Sequence, residues 1–278
     1  MKHTFSAVAL VLAVAQGFSP VSAARSAVAQ GFPVPSRVEG SPVSAADLLA
    51  KAIRLQESRG FMMRARMVIQ AKGAAQPLTI QIRALGKLDS RGSKVLYQAL
   101  WPDAYKGRAV IVEKPDHDTT TGLFFEPPDK TTPITRANFT DPIFGSDMTV
   151  EDLAENFHWW PDPVFAGQDK VGNEPCRIIE SRAPAGSPSS YAIVRTCVSE
   201  KKQLILRIEK IRADGKVAKR MTVTRSARAP DGIMAPRTME VQNLERGSTT
   251  TIDVTRGERG IIIAAADFSL ARLKSLGK

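Results

Sequence analysis

Strict alternation of apolar and polar residues recurs along this chain and confines much of it to half-buried β-strands. Leu78, Ile80 and Ile82 alternate with Thr79, Gln81 and Arg83, and Met221 and Val223 with Arg220, Thr222 and Thr224. Met239 and Val241 alternate with Glu240 and Gln242, then Ile252 and Val254 with Thr251, Asp253 and Thr255. A period of two sends successive side chains to opposite faces of a strand. Asp214-Gly215, Asp231-Gly232 and Arg246-Gly247-Ser248 punctuate the pattern with residues that tolerate tight reversals. The second half therefore reads as an antiparallel meander of about four long neighbouring strands, one face apolar and the other wet.

Helices are few. Ser44-Ala45-Ala46-Asp47 is a capping box, whose hydroxyl and carboxylate satisfy N–H groups that a first turn leaves unpaired. Leu48, Ala52 and Leu55 then mark one face of a helix running to about Glu57. Thr149-Val150-Glu151-Asp152 is a second box, opening a short helix through about Asn156. A last helix is predicted from Phe268 to about Leu276, with Leu270, Leu273 and Lys274 along it. The expected fold is mainly β with some α: a curved antiparallel sheet, with a few short helices as plug or lid. The open edge of such a sheet has to be covered or closed.

The N-terminus has the layout of a secretory signal peptide. Lys2 and His3 precede the apolar run Phe5–Ala15, Ser19-Pro20 breaks it, and Val21-Ser22-Ala23-Ala24 offers small residues for cleavage. The run is well short of the roughly 18 residues of a membrane anchor. No Cys follows the cleavage region, so the chain is not expected to be lipidated itself. Residues 1–24 are assigned to the signal, and the mature chain is expected to be exported and soluble. Residues 25–43, with Pro33, Pro35, Ser36, Gly40 and Pro42, read as a disordered leader. Its Ala27–Phe32 repeats Ala13–Phe18 without the regular period of a solenoid. Residues 44–278 are then a single domain.

Loss of Lys2 with the signal takes the formal charge from +11 to +10. Export argues against nucleic acid as a partner. Arg54, Arg83, Arg108, Arg207, Lys219 and Arg256 are scattered over many segments, so most basic residues are read as a solvated outer face. Attraction to anionic headgroups is the minority reading.

Catalysis finds no support in the residues. Asp147, Glu151 and Asp152 lack a neighbouring His, Cys or basic cluster to complete a site. Capping accounts for Thr149 and Asp152, and Asp147 suits a tight turn after Gly145. His117, in Asp116-His117-Asp118, reads as a loop, and His158 stands far from it; a metal needs three or four converging ligands. No cofactor is expected. Cys176 and Cys197 are the only cysteines, in an exported chain where two usually pair. A hairpin of strands 176–182 and 190–198, centred between Gly186 and Ser187, sets them opposite each other and predicts a disulfide.

A resemblance rests on the order of several segments. Gly107–Val112 and Phe124-Phe125-Glu126-Pro127 are followed by Phe144-Gly145-Ser146-Asp147, then Thr149 and Glu151-Asp152-Leu153. Beyond lie Gly172 with Cys176–Glu180, the Gly215–Lys219 hairpin and Asp267-Phe268-Ser269-Leu270. In that order, from about Ala45 to Leu273, the chain resembles the outer-membrane lipoprotein-sorting protein family, relatives of the periplasmic carrier LolA. The resemblance implies an open half-barrel that holds lipid and performs no catalysis. The alternating residues Leu78, Ile80, Ile82, Met221, Val223, Met239, Val241, Ile252 and Val254 are then expected to line its cavity. Phe124, Phe144, Trp159 and Trp160, from an aromatic-rich stretch, are expected to close it. Gly145, Ser146, Asp147, Thr149, Glu151 and Asp152 are expected to be structural. The function implied is a periplasmic carrier, acting as a monomer, of lipid or lipoprotein acyl chains towards the outer membrane. An inner-membrane lipid transporter and an outer-membrane acceptor are implied as partners. The alternative is an envelope lipid sensor resembling RseB, although such regulators carry a second C-terminal domain.

Overall fold

The computed structural model of the protein describes residues 43–276, apart from 90–91, 116–118 and 155. The expected signal peptide, nearly all of the expected leader and the Asp116-His117-Asp118 loop lie outside the described residues. Helix α1 (Ala45–Gln56) leads into β1 (Gly60–Gln70), β2 (Leu78–Asp89), β3 (Gly92–Trp101), β4 (Ala109–Lys114), β5 (Thr121–Glu126) and β6 (Lys130–Pro133). A connection of 3-10 turns around the short helix α2 (Val150–Ala154) follows. Then come β7 (Val164–Val171), β8 (Glu174–Arg182), β9 (Ile193–Ser199) and β10 (Leu204–Ile211). The chain continues through β11 (Val217–Arg228), β12 (Met234–Asn243) and β13 (Ser248–Arg259) to α3 (Leu270–Leu276).

The strands form one 13-stranded antiparallel sheet, in the order β6-β5-β4-β3-β2-β1-β13-β12-β11-β10-β9-β8-β7. The alternating segments of the second half form the expected meander, β10 to β13 pairing in sequence. Strands β1 and β13 join the two halves of the chain from Phe61–Arg259 to Gln70–Thr249. Strands β6 and β7 are the two edges and do not pair, so the sheet stays an open half-barrel. Residues 134–163 must therefore travel from one edge to the other, and they do so across the inner face. Ile143, Met148, Val150, Leu153, Phe157 and Trp160 of this connection belong to the main core.

Alternation sorts the two faces. Ile80, Ile82 and Ala84 of β2 join the inner core, as do Val95, Tyr97 and Ala99 of β3. Their neighbours Leu85, Leu96, Ala109, Ile111 and Phe125 form a separate outer cluster. Helix α1 begins where Ser44 Oγ accepts from Asp47 N–H (3.1 Å), and it packs on β7, β9 and β10 of the inner face through Leu48, Leu49, Ala52 and Ile53. The expected last helix divides into a 3-10 turn (Ala265–Phe268) and α3. It is not a plug: Phe268 and Leu273 cover the outer cluster, because β1–β5 carry a second apolar patch, including Met62, Leu85, Leu96 and Phe125, on their outer face.

Cys176 and Cys197 are bridged, with Cα atoms 5.4 Å apart. The hairpin register differs from the expected one, since Ile178 rather than Cys176 lies opposite Cys197. A shift of two residues keeps both cysteines on one face, so the bridge crosses the ladder diagonally. Strand β9 starts at Ile193 rather than 190, because Ser189 and Ser190 turn away to bond Glu151.

Candidate functional site

The crossing segment is fastened to the sheet by its polar residues. Phe144 (φ 55°, ψ 26°) and Gly145 (φ 77°) are both left-handed, which costs a phenylalanine about 1 kcal/mol and reverses the chain. Ser146 Oγ closes the turn, donating to the Ile143 carbonyl (2.7 Å) and accepting from Met148 N–H (3.1 Å). The hydroxyls of Ser248 and Thr250 on β13 then donate to the two carboxylate oxygens of Asp147, Thr250 at 2.8 Å. Asp147 N–H donates in turn to Thr250 Oγ1 (2.9 Å). The turn expected at Asp147 is thus a clasp onto the sheet.

Thr149 and Asp152 do form the expected capping box: the Thr149 N–H and hydroxyl each reach Asp152 Oδ2 at 2.9 Å. The same carboxylate also accepts from Lys210 Nζ of β10 (2.6 Å) and from Lys219 Nζ of β11. Glu151 accepts from Ser189 Oγ (2.8 Å), Ser190 N–H (2.7 Å) and the Ser190 hydroxyl. Lys114 Nζ of β4 donates to the Ala154 carbonyl (2.7 Å). One short segment is therefore tied to β4, β10, β11, β13 and the β8–β9 loop.

Burial sets the electrostatics. Asp152 is completely buried, and Lys114, Lys210 and Lys219 nearly so. Burial by itself would raise the Asp152 carboxyl; the ammonium groups of Lys210 and Lys219 outweigh it and hold the carboxyl well below the usual range. Burial, then the charges of Lys114 and Lys210, push His158 down to about 3. Lys210 Nζ also lies 5.3 Å from the Tyr191 ring centre and 5.7 Å from that of Phe157. The carboxylates of Asp147, Glu151 and Asp152 are engaged by hydroxyls, ammonium groups and N–H groups of their own chain, an arrangement that holds a segment in place. Among the described residues no group of three or more His, Cys, Asp and Glu side chains converges as a metal site.

All the residues expected to line or close a cavity come to the inner face. Ile80, Ile82, Met221, Met239, Val241, Ile252, Val254 and Trp160 are buried in its core, and Leu78, Phe124, Phe144, Trp159 and Val223 are partly buried against it. That face is largely filled by the protein's own side chains, from α1 and the crossing segment. Small apolar gaps remain, two of them bearing on the cavity residues. One, of about 20 Å³, lies over β10–β12 between Ile205, Ile208, Met221, Val223, Pro236 and Met239. The other, of about 10 Å³, lies under the Phe144 turn against Met67, Ile82, Tyr97, Met148 and Leu153. As they stand, each has room for about one water molecule, far below the roughly 300–1,000 Å³ typical of small-molecule sites.

Lys114, Lys210 and Lys219 are the residues that sequence reasoning missed, having read basic residues as solvated. A signal existed for two of them: Lys114 shares its parity with Val110 and Val112, and Lys219 with Met221 and Val223. A lysine on an inward parity needs a buried carboxylate. The bulge in β10 between Ile205 and Arg207 hides the same signal for Lys210.

A family model described as uncharacterised protein matches residues 92–275. No curated protein matches the sequence. A DUF1329 family protein from Desulfovibrio piger superposes with a TM-score of 0.75 at 19% identity, over 82% of this chain and 97% of that one. A putative outer membrane lipoprotein-sorting protein domain from Vibrio parahaemolyticus gives 0.72 at 17% identity, with the same coverage of 82% and 97%. A LolA superfamily protein from Nitrosomonas europaea gives 0.64 at 16% identity, over 82% and 98%. The half-barrel fold is shared with all three.

Proposed function

The chain belongs to the DUF1329-like family, and on that premise we propose that it is an exported, periplasmic carrier sheltering acyl chains of a lipid or lipoprotein. The observation that carries this reading is an apolar inner wall covered by a separate segment, which lays apolar side chains on it and is pinned to the strands by polar contacts. Polar contacts can be exchanged for water at modest net loss, typically about 1 kcal/mol each. The wall cannot, and an acyl chain replaces the segment's apolar cover at about 0.8 kcal/mol per buried methylene. Loading then proceeds by displacing the strained Phe144 turn, which roofs one apolar gap and leaves Phe144 partly exposed. The likeness in fold to a lipoprotein-sorting domain supports the same reading. In this reading an inner-membrane lipid transporter loads the carrier and an outer-membrane acceptor unloads it. No described helix is long and apolar enough to cross a membrane.

Protein purified from its own periplasm is expected to carry a lipid in native mass spectrometry. Acyl ligands are expected to shift the fluorescence of Trp159 and Trp160, with binding that persists in high salt because burial drives it. Val223→Asp, at a partly buried position on the larger gap, is expected to abolish the shift while circular dichroism stays native. A lipid-free wild-type protein with no fluorescence response at any salt overturns the carrier.

A further inference from the structure

Three arginines stand in one rung on the outer face of the sheet. Arg64 of β1 lies directly opposite Arg83 of β2 on one side and Arg256 of β13 on the other. Side chains so paired have Cβ atoms about 4.5–5.5 Å apart, and like charges there are destabilising. The rung continues to Gln98 of β3, a neutral residue whose Oε1 accepts from Arg83 Nε (2.8 Å). Arg256 is paired with Glu258 on its own strand (2.9 Å). Among the described residues Arg64 has no ion pair, and Arg83 Nη2 is enclosed without a hydrogen-bond partner.

The neighbouring rung, Met62–Leu85–Leu96, is apolar and lies under Phe268 and Leu273. Helix α3 thereby brings Arg272 to the arginine rung. Burial, then the charges of Arg272 and Arg64, lower the affinity of Arg83 for its proton, with Asp267 opposing them. Asp267 is also engaged in capping, accepting from Ala264 N–H (3.2 Å). The cluster therefore keeps an excess of positive charge that its own carboxylates do not neutralise.

We propose that Arg64, Arg83 and Arg256, overhung by Arg272, form a binding site for a phosphate group on the face opposite the acyl-binding wall. Guanidinium forks match the geometry of phosphate oxygens, and a phosphate can accept from several forks at once where a carboxylate is filled by one or two. An anion there removes the like-charge repulsion of the rung and gives the enclosed Nη2 an acceptor. The site is independent of the carrier reading, since it uses no inner-face residue.

Free phosphate and the headgroup of a phospholipid present the same chemistry, and two probes separate them. Inorganic phosphate is titrated into the mature protein by calorimetry, and vesicles of phosphatidylglycerol or of phosphatidylcholine alone are cosedimented with it. Binding to phosphate, to the phosphatidylglycerol vesicles or to both is expected, falling as salt rises. Arg64→Gln and Arg256→Gln, both at exposed positions, are each expected to weaken it at least about tenfold. Arg225→Gln removes the same charge from another exposed strand position and is expected to leave binding unchanged. Binding of phosphate alone points to a small phosphorylated solute, and binding of anionic vesicles alone to a membrane headgroup. Absence of both, or an equal loss in Arg225→Gln, overturns the site.

Discussion

Asp152 holds two lysines that belong to adjacent strands, and its own helix cap as well. As a cap alone it would contribute about 1 kcal/mol. Its removal also leaves Lys210 and Lys219 buried without their carboxylate, so Asp152→Ala is expected to cost about 3–5 kcal/mol in urea unfolding. Replacing the three together, Asp152→Leu with Lys210→Met and Lys219→Met, is expected to recover most of that loss, because no charge is then left buried. His158 gives the same region a pH dependence. Its folded pKa of about 3 lies below the ordinary 6.5, so the folded state holds the ring neutral. The stability from this group is complete above pH 6.5 and is lost as pH falls towards 3. The residue as a whole is only half-buried, so the loss between pH 7 and pH 4 is expected to be up to about 2 kcal/mol. Urea midpoints across that range, flattened in His158→Gln, provide the measurement. Asp152 extends the acid limb, since a depressed carboxyl loses its contribution only as pH falls below 3.8.

Among elements, the β8–β9 hairpin is tied at its loop to the crossing segment. Ser189 and Ser190 bind Glu151 and set where β9 begins, and the disulfide then crosses the ladder diagonally. The bridge closes a loop of 21 residues, for which the chain-entropy estimate is about 3 kcal/mol. Denatured, non-reduced protein is expected to show no free thiol, and Cys176→Ala with Cys197→Ala to lower stability by about that amount. Two thiols titrated without reductant would contradict the bridge. Buried Cys176 and Cys197 pack with Leu204 and Leu206, so the double variant also leaves a small cavity.

At the scale of the whole molecule, the plug exists because the sheet is open and its two edge strands are consecutive in sequence. A connection from β6 to β7 has no route but a face, and the inner face offers both apolar cover and the polar sockets of Thr250, Lys210, Lys219 and Lys114. In the carrier reading this segment is the part that moves. Thr250→Val removes one clasp on Asp147 and is expected to destabilise by about 1–3 kcal/mol. Hydrogen exchange is expected to accelerate in residues 143–154 more than in β1, β2 or β13, and acyl ligands to load faster. Uniform acceleration over the whole sheet would show that the segment does not open by itself.

The sequence by itself determined the alternating strands of the second half and the one at Leu78–Arg83, their apolar and polar faces and the two capping boxes; the family it resembles rested on the order of its segments. Strands, faces and caps rest on local physics, the period of a strand or the reach of a hydroxyl to a nearby N–H, which a single stretch of chain contains. It also placed Ile80, Val241 and Ile252 on the inward side, but not the extent of their cover. Only the tertiary structure decided that α1 and residues 134–160 fill that side, and that α3 lies on the outer face. It alone turned Asp147, Glu151 and Asp152 from local turn and cap residues into clasps on strands and a loop some 40 to 100 positions away. The arginine rung was invisible for the same reason: Arg64, Arg83 and Arg256 become neighbours only through the register of three strands. Contacts across such separations depend on which strands pair and how the chain crosses between edges, and no local pattern encodes either.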